Sequence, residues 1–283
     1  MKNMKKLLFF ILLVLAASAI SRAQFARTDP QIEWRLIFLQ RNVEPLYRKP
    51  TGKELKAVAP SRELFVKYAE FLRQPATGLT KLIDNKGCAE NTKVVVATER
   101  CLKYTMPGAG SSFSFRKQNY RIPRLADITF TDKSFQSNGV LLHGMFVNLG
   151  DVPLEEVGLQ TKGLKYLVDF KPEPDYEKGK AVDSQLTKGV IHDGFLYRRG
   201  LYIVENTTFA LRSIAYGGKY FRAVRSVTYN EFDYDKRRDV IVVFRIVEID
   251  EAGNVTILWK ELQRKPSPDI ENRKNTVSKS EIN

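Results

Sequence analysis

Histidine and cysteine are both scarce in this chain: its 283 residues include two of each. Two cysteines exclude a disulfide-scaffolded miniprotein and a four-cysteine zinc module, and two histidines exclude a histidine-rich metal site. Long apolar runs are missing as well. The longest, Leu7 to Ile20, is fourteen residues interrupted by Ser18, whereas a membrane-spanning helix needs roughly 20. Acid is in short supply, with 32 Asp and Glu against 46 Lys and Arg, a formal charge of +14. The 17 Gly and 12 Pro are ordinary numbers that exclude a collagen-like or low-complexity chain. The length leaves room for one or two cores of full size.

What is present at the start is the order of a secretory signal. Lys2, Lys5 and Lys6 precede the apolar run, and Ser21-Arg22-Ala23 places small residues at the positions a signal peptidase reads. Residues 1–23 are therefore expected to be removed. They hold four basic residues and no acid, so the charge falls from +14 to +10. Export makes a disulfide between Cys88 and Cys101 the default for two lone thiols. A loop of that length stabilises a fold by about 3 kcal/mol in the chain-entropy model. A nucleophilic thiol would need an activating histidine, and His143 and His192 are both remote in sequence.

The remainder reads as helices first and strands afterwards. Asp29-Pro30 opens a helix carrying Ile32, Leu36, Leu39 and Val43 at helical spacing. A second helix begins at Pro60-Ser61, with Leu64, Phe65, Tyr68, Phe71 and Leu72 on one face, and stops at Pro75. From Lys93 the period changes to two. Strands are predicted over Val94–Val96, Val140–Val147, Phe195–Tyr202, Thr208–Tyr216, Phe221–Tyr229, Val240–Ile249 and Val255–Leu262. Asp250 to Asn254 turns the last pair into a hairpin, and a second hairpin is expected to join Tyr229 to Val240. One helix interrupts the strands around Tyr176 to Lys188, with Gly189 as its stop.

The fold class is thus α+β: N-terminal helices flanking an antiparallel β-sandwich or open barrel. The expected organisation is a signal peptide at 1–23, a helical segment at 24–87, a mostly antiparallel β domain with one inserted helix at 88–265, and a disordered polar tail at 266–283.

Few patterns suggest chemistry. Gly108 to Ser112 has the small residues of an anion nest but lacks the Gly-Lys-Ser/Thr of a phosphate loop, so it reads as a plain loop. His143 lies inside an apolar strand and reads as a core residue; His192-Asp193-Gly194 reads as a turn. Glu231, Asp233, Asp235 and Asp239 gather carboxylates without the glycine and terminal glutamate of a calcium loop, and Lys236, Arg237 and Arg238 lie among them. No metal and no cofactor are expected. Arginine and tyrosine interleave along the later strands, which makes Arg198, Arg199, Tyr202, Tyr220, Arg222 and Arg225 the candidate ligand-binding residues. Alternation sets Arg222 and Arg225 on opposite faces. The competing reading is an edge sheet kept soluble by charge.

These observations favour an exported, non-catalytic binding or envelope-associated protein, periplasmic or extracellular, whose basic sheet face meets an anionic polysaccharide or cell-envelope surface. Nucleic acid is not an expected partner. Two alternatives remain: a secreted hydrolase using a carboxylate pair or His143 and His192, and a structural protein assembling through an exposed sheet. The cysteine reading is directly testable. Thiol titration of denatured, non-reduced protein recovered from an oxidising compartment should find no sulfhydryl at Cys88 or Cys101, and free labelling of both would restore a thiol role.

Overall fold

A computed structural model of the protein describes residues 30–85, 106–271 and 278–279. Cys88, Cys101, the predicted strand at Val94–Val96 and the predicted signal peptide lie outside the described residues. The chain divides into two compact units, Met1–Val43 and Glu44–Asn283. The described part of the first is the predicted helix, Pro30–Asn42.

The second unit contains, in chain order, β1 (Thr77–Leu82), β2 (Ser112–Ser114), β3 (Asn119–Tyr120), β4 (Ile128–Thr131), β5 (Ser134–Gln136), β6 (Leu142–Gly150), β7 (Val190–His192) and β8 (Phe195–Tyr197). It continues with β9 (Gly200–Tyr202), β10 (Thr208–Ala215), β11 (Phe221–Val224), β12 (Val227–Asn230), β13 (Asp239–Ile249), β14 (Val255–Lys265) and β15 (Ser278–Lys279). The main sheet has the order β1-β14-β13-β10-β6, every pair antiparallel. A second sheet runs β3-β2-β4-β5-β9 and is antiparallel too. A small sheet, β12-β11-β15, and the pair β7-β8 complete the set.

The main sheet is buried on both faces because its central strands are apolar on both. Along β13, Val240, Val242, Phe244 and Ile246 point into a cluster shared with Phe113, Phe115, Phe130 and Phe135 of the second sheet region. Ile241 and Val243 point the other way, onto Leu154, Leu164, Leu167 and Leu186. Leu167 and Leu186 come from the helices Lys165–Asp169 and Tyr176–Lys188, which cover that face. The latter helix starts where Asp175 accepts from the Glu177 and Lys178 amides and ends at Gly189, whose φ of 105° suits glycine. Between β8 and β9, Arg198 exchanges two backbone hydrogen bonds with Phe146 of β6. The run Phe195–Tyr202 thereby joins the main sheet to β5 of the second. Among the described residues the other two edges, β1 and β3, are not paired to each other, and the strands close no barrel.

Several expectations need correction. Thr77–Leu82 lies in the segment read as helical, yet it is an edge strand. The helix ends at Lys67 and a 3-10 turn at Arg73, both short of the expected stop at Pro75, and Gly78 lets the Trp259 ring lie against the backbone, since a Cβ there would stand 2.4 Å from it. Phe221–Tyr229 is a tight hairpin rather than one strand. Its turn, Arg225-Ser226, has φ of 45° and 69°, the backbone of a type I′ turn built without glycine or asparagine. Tyr229 and Val240 are not hairpin partners, because β12 and β13 belong to different sheets. The described part of the tail is docked rather than loose: Gly217 N donates to Pro268 O at 2.7 Å, Glu271 N to Pro174 O at 2.7 Å, and β15 pairs in parallel with β11. Main-chain hydrogen bonds hold it, and composition carries no record of those.

The sheets are fastened by buried charge. Arg116 donates to Asp127 at 2.7 Å and to Asp235 at 2.6 Å, and neither its side chain nor theirs is exposed. Its remaining donors reach Lys236 O and Leu125 O. Ser114 of β2 and Ser213 of β10 donate to Asp127, so one carboxylate links both five-stranded sheets. Arg237 shares Asp235 and clamps the carbonyls of Tyr216, Val140 and Leu141. Arg212 makes a second buried pair with Asp239, at 2.9 and 2.6 Å. Removing one member of such a network strands its partners without water. Arg116→Met should therefore lower stability by about 3–5 kcal/mol in urea denaturation. A loss under about 1 kcal/mol, the size expected of an exposed pair, would contradict this account.

Candidate functional site

The acidic turn is committed to the fold. Asp235 and Asp239 are held by arginines, and Glu231, fully buried, accepts from Arg124 and Arg222 at 3.0 Å each and from Tyr47 at 2.8 Å. Burial alone would raise the Glu231 pKa, but Arg124 and Arg222 outweigh it and hold the group below its ordinary value. Burial likewise opposes ionisation of Asp235, and Arg116 and Arg237 pull it down to about 2. Asp233 is exposed and accepts from the Asn230 amide. Among the described residues no group of His, Cys, Asp and Glu is arranged to hold a metal ion.

The remaining polar motifs have structural surroundings of the same kind. Gly108–Gly110 is a buried turn, and a Cβ on Gly108 would meet Arg121 O at 2.1 Å, so the cluster is packed rather than open to an anion. His143 is 6% exposed, with Nδ1 3.2 Å from the Tyr216 hydroxyl. Burial pushes its pKa down to about 4, helped by the Arg199 charge and opposed by a hydrogen bond with the Gly179 backbone. His192 is half-buried at the tip of the β7–β8 hairpin, beside Asp193 and 5.3 Å from the Tyr166 ring.

The six candidate ligand residues separate into three places. Arg222 is buried against Glu231, and Tyr220 lies 5.6 Å from the Arg124 guanidinium, which packs over its ring. These two belong to an internal network; the alternation that seemed to offer Arg222 to a ligand offers it to a carboxylate. Arg225 stands exposed at the β11–β12 turn, apart from the others. Arg198, Arg199 and Tyr202 do come together. They line a cleft of about 420 Å³ with Ser134, Gln136, Asn138, Thr187, Gly200 and Leu201.

In that cleft Arg199 is fixed. Its Nη1 donates to Asp183 at 2.6 Å and its Nη2 to Ser137 O at 3.1 Å, while its buried Nε has no hydrogen-bond partner. Arg198 is exposed, and its side chain donates to Lys188 O at 3.2 Å. Tyr202 is 76% exposed. Gly200 allows the Gln136 amide to lie against the strand, since a Cβ would stand 2.5 Å from it. Gln136, Asn138 and Asp183 were not legible beforehand: they approach from β5, the following loop and the helix Tyr176–Lys188, with no sequence spacing to announce them. Nor was the larger groove of about 560 Å³ between the edges β1 and β3, walled by Trp259, Tyr120, Phe113 and Phe65. No protein-family model, curated protein or solved structure matches this chain.

His143 generates a pH test. Its imidazole titrates near 6.5 when unfolded and near 4 when folded. Between these values the unfolded chain binds more protons, so this contribution is complete above about pH 6.5 and is lost as pH falls toward 4, by roughly 3 kcal/mol in all. Urea unfolding across pH 7.5 to 4 should show that slope in the wild type and a shallower one in His143→Gln. Equal slopes in the two proteins would remove His143 as its source.

Proposed function

We propose that the protein is an exported binding module, a half-open β-sandwich whose cleft at Arg198, Arg199 and Tyr202 takes an anionic carbohydrate of the cell envelope or its surroundings. One observation carries the reading: an exposed guanidinium and an exposed tyrosine ring stand over a polar floor of amide and hydroxyl groups. Guanidinium forks pair with carboxylate or sulfate, and the ring offers a flat face to a sugar. The charge distribution supports it. Among the described residues five buried arginines (116, 121, 212, 222 and 237) face four buried carboxylates (Asp127, Glu231, Asp235 and Asp239), so the interior holds little net positive charge. The histidines and acids considered for hydrolysis are engaged in the contacts described above, which favours binding over the hydrolase alternative.

A second reading, assembly through an exposed sheet, draws on the edges β1 and β3, which pair with no further strand among the described residues, beside the apolar groove. It predicts self-association, whereas the carbohydrate reading predicts salt-sensitive retention by a monomer.

The test uses Arg198→Glu with Tyr202→Ala, both exposed positions, and leaves Arg199 to its structural pair. Wild type should be retained on immobilised anionic polysaccharide and released as salt shortens the Debye length from about 10 Å at 0.1 M to about 3 Å at 1 M. The double variant should elute markedly earlier. Coincident elution of the two proteins would refute the cleft as the binding site.

A further inference from the structure

Three stretches of chain remote in sequence meet around Arg121, and each brings a lysine to the surface there. Arg121 is buried just after β3 and donates through Nη1 to Tyr47 O at 2.5 Å and through Nη2 to Tyr234 O at 2.6 Å. Lys49 and Lys236 each follow those clamped carbonyls by two positions. Lys236 is fixed further, because its carbonyl accepts from Arg116 Nη1 at 2.9 Å. Lys117, adjacent to Arg116 in the turn between β2 and β3, is anchored by its amide to Ser114 Oγ at 3.3 Å. All three lysines are exposed, and among the described residues none forms an ion pair.

Beneath them the buried network is already positive, with Arg116, Arg121 and Arg237 set against Asp127 and Asp235. Arg121 Nε has no hydrogen-bond partner. Glu44 and Asp233 act on the neighbouring Tyr234 hydroxyl, and even with both counted the positive charges remain in excess. Partial burial and then the charge of Arg121 lower the pKa of Lys117; Asp235 opposes them, and Lys49 and Lys236 add smaller lowering contributions. Converging like charges at fixed backbone positions oppose folding unless a counter-charge joins them.

We propose that Lys49, Lys117 and Lys236 form a receptor for one compact tetrahedral oxyanion, a phosphate or sulfate ester group, seated above Arg121. The site shares no residue with the Arg198 cleft and does not depend on that reading. Such a group accepts from several ammonium donors at once and neutralises one of the excess charges as a sulfate ester or up to two as a phosphate ester.

Calorimetric titration of the full chain with inorganic phosphate, and separately with sulfate, tests this at ionic strength held constant with chloride. Saturable one-site binding is expected, weakened at least about tenfold, or about 1.4 kcal/mol, in Lys117→Ala with Lys236→Ala. Tighter phosphate binding would assign the natural group as a phosphate ester and tighter sulfate binding as a sulfate ester. Lys49→Ala should weaken binding as well, and Arg198→Glu with Tyr202→Ala should leave it unchanged. Removing exposed lysines relieves like-charge repulsion, so thermal unfolding should find the variants at least as stable as wild type and so separate lost binding from lost folding. No saturable heat beyond the chloride control, or equal affinity in the lysine variants, would overturn the proposal.

Discussion

Arg116 holds a permanent charge where water does not reach, and two carboxylates and two carbonyls accept its hydrogen bonds. A guanidinium does not escape burial by losing its proton, so the chain must deliver those partners whenever it folds. Asp127 arrives from the approach to β4, Asp235 from the approach to β13, and Ser213 from the middle of β10. The apolar clusters could slide by small amounts at modest cost, whereas a bidentate network of this kind has few acceptable arrangements. It therefore fixes how the two five-stranded sheets register against each other, and Arg237 extends that registration to the chain around Tyr216, Val140 and Leu141.

The same demand shapes the surface. Carboxylates that would otherwise balance exposed lysines are drawn inside to meet arginines, and the outside is left basic. The segment from Glu231 to Asp239 shows this most clearly. As sequence it is an acid-rich loop with the density of a cation site; as structure, three of its four acids face guanidinium groups. What remains exposed in that segment is Asp233 and Lys236, and Lys49 and Lys117 are exposed as well. Interior pairing and exterior charge are two sides of one distribution.

The parts of the fold legible in sequence are those set by local rules. The β13–β14 hairpin follows from apolar, β-branched runs on each side of an Asp-Glu-Ala-Gly-Asn turn, and the end of the helix Tyr176–Lys188 follows from its Gly189 stop. The parts that escaped are set by partners. Thr77–Leu82 is a strand because β14 lies beside it, and the Arg225-Ser226 turn takes positive φ without the residues that usually signal it. In the cleft, Arg198, Arg199 and Tyr202 were visible because one run of chain carries them. Arg222 looked equivalent, but an arginine on a strand reads the same whether it faces solvent or Glu231.

The cleft's mobility follows from how differently its two arginines are held. Asp183 and Ser137 order the Arg199 side chain before any ligand arrives, so its conformational cost belongs to folding. Arg198 and Tyr202 are exposed and must be ordered by the ligand, at about 0.5–1.5 kcal/mol for each immobilised side chain. One fixed cation beside two mobile groups sets direction without demanding close fit. On the proposed reading, such a cleft would engage any one unit of a chain weakly, and a repetitive anionic polymer would compensate by offering the next unit at high local concentration. A repetitive carbohydrate polymer would meet that description better than a single small metabolite, which would need a more enclosed and more rigid pocket to bind well.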